Sequence, residues 1–189
     1  MHNPNSYWRL DKSWYKVKSD TATRPEWQAM AAKYSDAEIA RLLAERKPLA
    51  KDFRAQIRLR DKRGHKEQEL DIPGVDGNQF RLILRQSGFN PLDFSIILAH
   101  CAADSNQIFR LRRYNGKSHQ HTNTIEAASF YDFHIHTATE RYQELGARED
   151  TYAESSNRYY DFSSAVNCLL ADCALELPED PQRKLFEEI

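Results

Sequence analysis

Long apolar stretches, cysteine pairs and secretory signals are all missing from this 189-residue chain. The sequence has no run of about 18 apolar residues, so it predicts no transmembrane helix. Its first residues, MHNPNSYWRLDKSWYKV, lack the apolar stretch that a secretory signal requires. Cys101, Cys168 and Cys173 form no C-x-x-C pair and are odd in number, which argues against disulfides and thiolate zinc sites. We therefore expect a cytoplasmic protein with reduced thiols and no membrane contact.

Internal repeats, low-complexity tracts and Gly/Ser linkers are also absent, so residues 1–189 are predicted to form a single domain. Hydrophobic residues make up 40% of the chain, enough for one sizeable core. Residues 1–34 contain all three tryptophans and are expected to pack on that domain. Residues 178–189 contain two prolines and are predicted to be a loosely held tail.

The net charge of −1 conceals an uneven distribution of charge along the chain. Residues 41–66 carry ten Lys/Arg and three Asp/Glu, whereas residues 138–189 carry five and twelve. A basic middle and an acidic end indicate either a polyanionic partner or two parts of one fold that attract each other.

The pattern of apolar residues predicts an α+β fold. Ser35 and Glu38 form a capping box at the start of a helix, SDAEIARLLAER. Seven candidate strands with short turns then predict a mainly antiparallel, curled sheet: FRAQIRLR, EQELDI, QFRLILRQ, FSIILAH, IFRLRRY, SHQHTNT and FYDFHIHT. Asp161 is the expected N-cap of a C-terminal helix whose apolar side, from Phe162 to Cys173, covers one face of the sheet.

The dipeptide Asn115-Gly116 predicts a two-residue type I′ hairpin, because both central positions of that turn favour Asn and Gly. This turn would place Tyr114 opposite Lys117. In the same register, Arg112 would face His119 and Arg110 would face His121.

A second, longer connection leads from this hairpin to FYDFHIHT. Phe133 and Ile135 must keep to the apolar side, which limits the register. One allowed alignment places His121 beside Asp132 and His119 beside His134, with His136 near Lys117. A polar face is then predicted that gathers four histidines with arginines.

A metal site is one interpretation of this face. Two His-x-His pairs put His119, His121, His134 and His136 on one side of neighbouring strands, and imidazole suits zinc, copper, nickel and iron. The positive charges of the predicted neighbours Arg110 and Arg112 disfavour binding of a divalent ion, because like unit charges about 5 Å apart repel by roughly 3 kcal/mol at an effective dielectric near 20. A divalent transition metal such as zinc is therefore the alternative cofactor; the main hypothesis needs none.

Phosphate chemistry is the main hypothesis, in the form of a metal-independent endoribonuclease. His121, oriented by Asp132, would be the general base, and His119 or His134 the general acid, with His136 in the same cluster. Phosphate would be held by the guanidinium of Arg112, and by Arg110 and Lys117 beside it.

RNA would be the partner in that hypothesis. Arg54, Arg58 and Arg60, together with Arg81 and Arg85, could extend a basic track for the nucleic-acid backbone. Tyr114 and Tyr142 could stack on bases. In the alternative, the histidine face serves a non-catalytic domain that binds a metal or an acidic protein partner. A third alternative is a solvent-facing sheet surface with no site, since such faces commonly carry Arg, His, Thr and Gln.

Ordered motifs in the second half of the chain resemble a family of bacterial proteins with no assigned activity. These motifs are RYNG, HTN, HIHTATERYQ, YAE and RY, followed by LLADC. The resemblance covers roughly residues 35–175 and implies no site residues. A strand ending in RYNGK, a following His-x-His and a closing helix are also similar to small sheet-plus-helix RNase toxins of toxin–antitoxin pairs. That similarity implies RNA as substrate and a cognate protein partner.

Overall fold

The computed structural model describes residues 33–103 and 107–178. The predictions for the tryptophan-rich segment up to residue 32, and for the tail from residue 179 onwards, lie outside the described residues. Within those ranges the chain is α+β, as the sequence predicts. A mainly antiparallel sheet of seven strands carries a C-terminal helix on one face.

The described residues contain four helices and eleven strands. The helices are α1 (Asp36–Ala44), α2 (Phe53–Gln56), α3 (Glu140–Glu144) and α4 (Phe162–Asp172). The strands of the main sheet are β2 (Arg60–Lys62), β3 (His65–Pro73), β4 (Gln79–Ser87), β5 (Phe94–Cys101), β6 (Ile108–Asn115), β9 (His134–Thr137) and β10 (Ala153–Ser155). Two further pairs are β1 (Lys47–Pro48) with β11 (Leu175–Glu176), and β7 (His121–Asn123) with β8 (Ala128–Phe130). None of these helices has the length and apolar character that crossing a bilayer would require.

The main sheet has the strand order β10-β9-β6-β5-β4-β3-β2. Its central strands form long antiparallel ladders, in which Leu82 pairs with Leu98 and Leu84 with Ile96. Because side chains alternate along a strand, these four residues lie on one face, and each is at most 1% exposed. Helix α4 packs on that face, and the side chain of Asp161 caps its first turn by accepting from Ser164 N.

A buried lysine joins α1 to the short parallel pair of β1 and β11. Lys47 is 0% exposed, and its ammonium lies over the ring of Phe80, 4.3 Å from the centroid. Four backbone carbonyl oxygens lie within 2.6–3.2 Å of Lys47 Nζ, those of Leu42, Leu43, Glu45 and Cys173. Burial lowers the pKa of Lys47. Its side chain thus satisfies carbonyl groups that the end of α1 leaves without helical partners.

The tight hairpin of the sheet lies elsewhere than the sequence predicted. Arg63 and Gly64 both have positive φ, 44° and 88°, and they connect paired residues Lys62 and His65 of β2 and β3. Two central residues with positive φ are the requirement of a type I′ turn. Asn115 and Gly116 do not have positive φ in this structure, so the predicted hairpin there is wrong.

The segment FRAQIRLR is a second correction, since most of it is not a strand. Residues 53–56 form the single-turn helix α2, and strand β2 begins only at Arg60. Phe53 is buried in the core and Ile57 packs against it. Two residues four apart lie on the same side of a helix, so these apolar positions fit a helical turn as well as an alternating strand.

Candidate metal centre

Three histidines converge on the sheet face opposite α4. His134 and His136 are two residues apart on β9 and so point to the same side, while His121 comes from β7. Their ring centroids lie 4.8, 4.9 and 5.3 Å from one another. One nitrogen from each ring can be chosen so that all three atoms lie within 4.8 Å of one another. Two of the rings are almost fully buried, with His134 0% and His136 2% exposed.

The β7–β8 hairpin is held over this face by the side chain of Asn123. Its Nδ2 donates to the carbonyl oxygen of Ala153 at 2.7 Å, and its Oδ1 accepts from Ala153 N at 3.0 Å. The side-chain amide therefore pairs with edge strand β10 much as another strand's backbone would. Phe130 of β8 packs against the rings of His121 and His134, at centroid distances of 5.3 and 5.6 Å. These contacts bring His121 to the two histidines of β9.

Hydrogen bonds indicate where each ring carries its proton. The Nδ1 atoms of His134 and His136 lie 2.7 Å from Asp132 O and 2.9 Å from Asp150 O. A carbonyl oxygen only accepts, so both Nδ1 atoms are protonated and both Nε2 atoms carry a lone pair. His121 Nε2 lies 2.9 Å from Asn123 Oδ1, which leaves the lone pair of His121 on Nδ1. Backbone acceptors of this kind are the usual orienting partners of histidines that bind metals.

Burial keeps these three imidazoles neutral. It lowers the pKa of His134 to about 4 and also lowers the pKa of His121. The pKa of His136 falls furthest, because burial is reinforced by the neighbouring charge of Arg113. At pH 7 all three rings therefore present unprotonated nitrogens, which is the form that binds metal ions.

A buried ion pair lies behind His136. Arg113 Nη2 is 3.1 Å from His136 Nδ1, and Arg113 Nε is 3.0 Å from Asp150 Oδ2. Arg113 Nε and Asp150 Oδ2 are close in space but are not aligned for a hydrogen bond. Asp150 Oδ1 also lies 2.6 Å from Arg148 Nε. Because His136 Nδ1 donates to the carbonyl of Asp150, Arg113 acts on this ring through its charge.

Asn115 completes the inner wall of the centre. Its Nδ2 lies 3.3 Å from both His134 Nε2 and His136 Nε2, and its Oδ1 accepts from Ser95 Oγ at 2.8 Å. The side chain is buried, with the residue 5% exposed. The sequence interpretation missed Arg113, Asn115, Asn123 and Asp150. Three of these lie in the RYNG and HTN motifs, which are the signal that could have drawn attention to them.

The predicted arginine neighbours lie away from the histidines. Strand β6 pairs with β5 and β9, so Arg113, not Arg112, is opposite His136. An irregularity between Leu98 and Ala99 places Arg112 across from Leu98 and Arg110 across from Ala99. Arg112 Nη1 lies 3.7 Å from Asp172 Oδ2, and Arg110 Nη1 lies 3.3 Å from Glu149 Oε1. The predicted facing of these arginines to His119 and His121 is therefore wrong.

The loop residues of the predicted site are only partly brought together. His119 is exposed, and its ring centroid is 5.2 Å from that of His134, but it is not part of the close group of three. The carboxylate of Asp132 accepts from Lys117 Nζ at 2.8 Å. Asp132 therefore does not orient His121 as predicted; its backbone carbonyl orients His134 instead.

The residues predicted to contact nucleic acid do not form one surface with the histidines. Arg60 is on β2, the fifth strand along from β9, which is roughly 24 Å across the sheet. Arg54 lies in α2 and Arg58 just after it, both exposed. Tyr114 and Tyr142 are each 0% exposed, and their hydroxyls donate to Asp172 and Glu126. The predicted stacking on bases is therefore corrected for both tyrosines.

We also compared the chain with models of protein families, with curated proteins and with solved structures. None of the three comparisons finds a match. The family resemblance drawn from the RYNG, HTN and HIHTATERYQ motifs thus stays a prediction. The function has to be inferred from the chemistry of the site itself.

Proposed function

We propose that this protein binds a divalent transition metal ion, with zinc as the leading candidate, through His121, His134 and His136. The observation that carries the proposal is the meeting of three neutral imidazoles whose potential ligand atoms lie within 4.8 Å of one another. Backbone carbonyls orient two of these rings so that both Nε2 lone pairs are available.

The donor set determines the class of metal. Three imidazole nitrogens suit zinc, copper, nickel, cobalt and iron, whereas magnesium and calcium prefer oxygen ligands. In the part of the chain that the structure describes, this group consists of the three histidines and includes no cysteine sulfur. Affinity is thus expected to rise from iron through cobalt and nickel to copper, with zinc bound less tightly than copper.

Binding requires a modest contraction of the site. Ligand atoms of a tetrahedral zinc centre with bonds of about 2.0–2.1 Å lie about 3.3–3.4 Å apart. The three histidine atoms lie within 4.8 Å, so the rings have to approach one another by up to roughly 1.5 Å. His121 is on the two-stranded β7–β8 pair rather than in the main sheet, so the smaller element can supply this movement.

Metal titration of the untagged, full-length protein tests the proposal. After removal of metal with a chelator, Zn²⁺ or Co²⁺ should bind with a stoichiometry of one. The His136→Ala variant should bind more than about 100-fold more weakly, which exceeds the 10–100-fold effect of losing an orienting partner. His65→Ala is the matched control, because this imidazole is on β3 and contacts Glu67 instead. No stoichiometric binding, or equal binding by wild type and His136→Ala, would refute the metal centre.

The metal-independent endoribonuclease hypothesis, with RNA and a cognate protein as partners, stays a prediction. The contacts between the rings of His119, His121 and His134 support it, since a general base and a general acid must lie close together. The location of Arg112 beside Asp172 weighs against the proposed phosphate clamp. Incubation with mixed RNA in EDTA, comparing wild type with His121→Ala, separates this activity from metal binding. Cleavage by wild type alone would support the endoribonuclease.

A further inference from the structure

The side-chain amide of Asn115 lies against two of the three histidines but has no role in the metal centre as proposed so far. Its terminal nitrogen is 3.3 Å from the Nε2 atoms of both His134 and His136. Asn115 pairs with Ser95 on one side and with His134 on the other, so all three residues lie in one row across the sheet. Side chains in such a row point to the same face. Asn115 is therefore aimed at the centre by the strand register.

The distances from Asn115 to the two rings place the amide at a ligand position. In a tetrahedral centre with metal–nitrogen bonds of about 2.0–2.1 Å, any two ligand atoms are about 3.3–3.4 Å apart. The Asn115 terminal atom has this separation from both Nε2 atoms. An atom where the metal itself would lie should instead be about 2 Å from each nitrogen. The amide thus lies beside the metal position, at a corner of the coordination tetrahedron.

We propose that Asn115 is the fourth ligand of the metal centre, bound through Oδ1 after its amide group turns by about half a rotation. The inference rests on the proposed function. An amide nitrogen carries two hydrogens and no available lone pair, so it can donate to two free imidazole nitrogens but cannot bind a cation. The amide oxygen has lone pairs and can bind it. Metal binding therefore requires the two ends of the amide to exchange places.

Ser95 allows this exchange without loss of a hydrogen bond. Its hydroxyl now donates to Asn115 Oδ1 at 2.8 Å. A hydroxyl also accepts, so after the exchange Ser95 can accept from Nδ2. A group that only donates, such as a lysine ammonium, would have opposed the rotation.

The backbone of Asn115 is held in place, which confines the change to the side chain. Tyr159 Oη lies 2.7 Å from the carbonyl oxygen of His134 and 3.0 Å from that of Asn115, so its one hydrogen is shared between them, and Gly116 N donates to Phe94 O at 3.0 Å. A Cβ atom at Gly116 would lie only 1.9 Å from Leu92 O, so the chain passes this point in tight contact. A fixed backbone keeps the amide beside the metal position while its two ends exchange places.

The assignment gives the centre three nitrogen ligands and one oxygen ligand from the protein. Four protein ligands close a tetrahedral site, as in structural zinc centres, whereas catalytic centres retain a position for water or substrate. The metal would then fasten the β7–β8 pair to strands β6 and β9. A closed centre agrees with a non-catalytic metal-binding domain.

Cobalt spectroscopy tests the inference on the full-length protein. Wild type loaded with Co²⁺ should show the strong visible absorption of a four-coordinate ion, and added azide should not change it. Asn115→Ala should bind Co²⁺ more weakly than wild type but more tightly than His136→Ala, because water can fill the vacated position. Its spectrum should now respond to azide. Asn157→Ala, at an exposed asparagine, is the matched control and should behave as wild type.

Asn115→Asp covers the case in which the alanine variant does not fold. Its carboxylate offers an oxygen without any rotation, so Co²⁺ affinity should equal or exceed that of wild type. Tighter binding by Asn115→Ala, or the same azide response in wild type, would overturn the inference while leaving the histidine centre intact. Absence of metal binding by wild type would overturn both the inference and the proposed function.

Discussion

At the scale of single residues, the centre depends on charges that surround neutral rings. Arg113 lies against His136, and burial lowers the pKa of this arginine, with Asp150 acting in the opposite direction. A divalent ion and a guanidinium about 6 Å apart repel by roughly 5 kcal/mol at an effective dielectric near 20. The fully buried carboxylate of Asp150 offsets this repulsion. Asp150 is therefore expected to stabilise the fold and, in the proposed metal centre, the bound ion for the same electrostatic reason.

Asp150→Asn should weaken both folding and metal binding. It leaves Arg113, whose side chain is only 16% exposed, without the counter-charge of the fully buried Asp150, and the loss of one partner of a buried pair costs about 3–5 kcal/mol. Urea denaturation should show this loss, and Zn²⁺ affinity should fall more than about 10-fold. Glu149→Gln is the control, because this neighbouring carboxylate pairs with the half-buried Arg110. Equal effects of the two substitutions would contradict the role given to Asp150.

At the scale of helices and strands, the sequence predicted correctly those features whose interacting residues are close together in the chain. The capping box of Ser35 and Glu38 and the N-cap of Asp161 both form as predicted. The consecutive strands β3 to β6 also pair in sequence order. In each case the residues that decide the structure are close in sequence or repeat with a clear period.

Asn115-Gly116 shows why part of the site could not be predicted. The turn rule assumes that the chain folds back at once, but β6 pairs with β9, and the intervening residues form the β7–β8 pair. The sequence predicted His121, His134 and His136 on one polar face from the alternation of apolar and polar residues along the strands. The structure brings these rings together through Asn123. A single side-chain amide that hydrogen-bonds to the backbone of an edge strand produces no periodic pattern in the sequence.

Asn123→Ala should release the β7–β8 pair from the sheet. The change removes both hydrogen bonds to the buried Ala153, and unsatisfied buried groups cost about 1–3 kcal/mol each. Amide exchange should accelerate in residues 121–130, with little change in β4 and β5, and metal affinity should fall because His121 is no longer held in place. Thr122→Ala removes only an exposed contact with Ser129 and serves as the control. Unchanged exchange in the hairpin of Asn123→Ala would show that other contacts hold it.

At the scale of the whole molecule, buried histidines make folding sensitive to mild acid. Burial lowers the pKa values of His100, His121, His134 and His136 below the usual value of 6.5. The unfolded chain therefore binds more protons than the folded chain just below pH 6.5, so stability decreases as the pH falls. Carboxylates with lowered pKa values, such as Asp172 and Glu67, add to this loss in a more acidic range.

Denaturation of metal-free protein at pH 7.5 and pH 5.5 measures this effect. For His134, whose folded pKa is about 4, the loss over this interval is roughly 1 kcal/mol. His134→Gln should be less stable at neutral pH but should show a shallower decrease between the two pH values. His65→Gln provides the comparison, since this residue lies outside the centre. A decrease as steep in His134→Gln as in wild type would contradict the assignment.

The four carbonyl oxygens around Lys47 have a chemical consequence of their own. An acylating reagent must reach the amine, and here Lys47 is fully buried with its terminal nitrogen enclosed by carbonyl oxygens. Lys47 should thus resist such reagents while exposed lysines such as Lys51 and Lys66 react. Its modification would report the opening of the junction between α1 and the β1–β11 pair, and the chain carries this reporter without any added label.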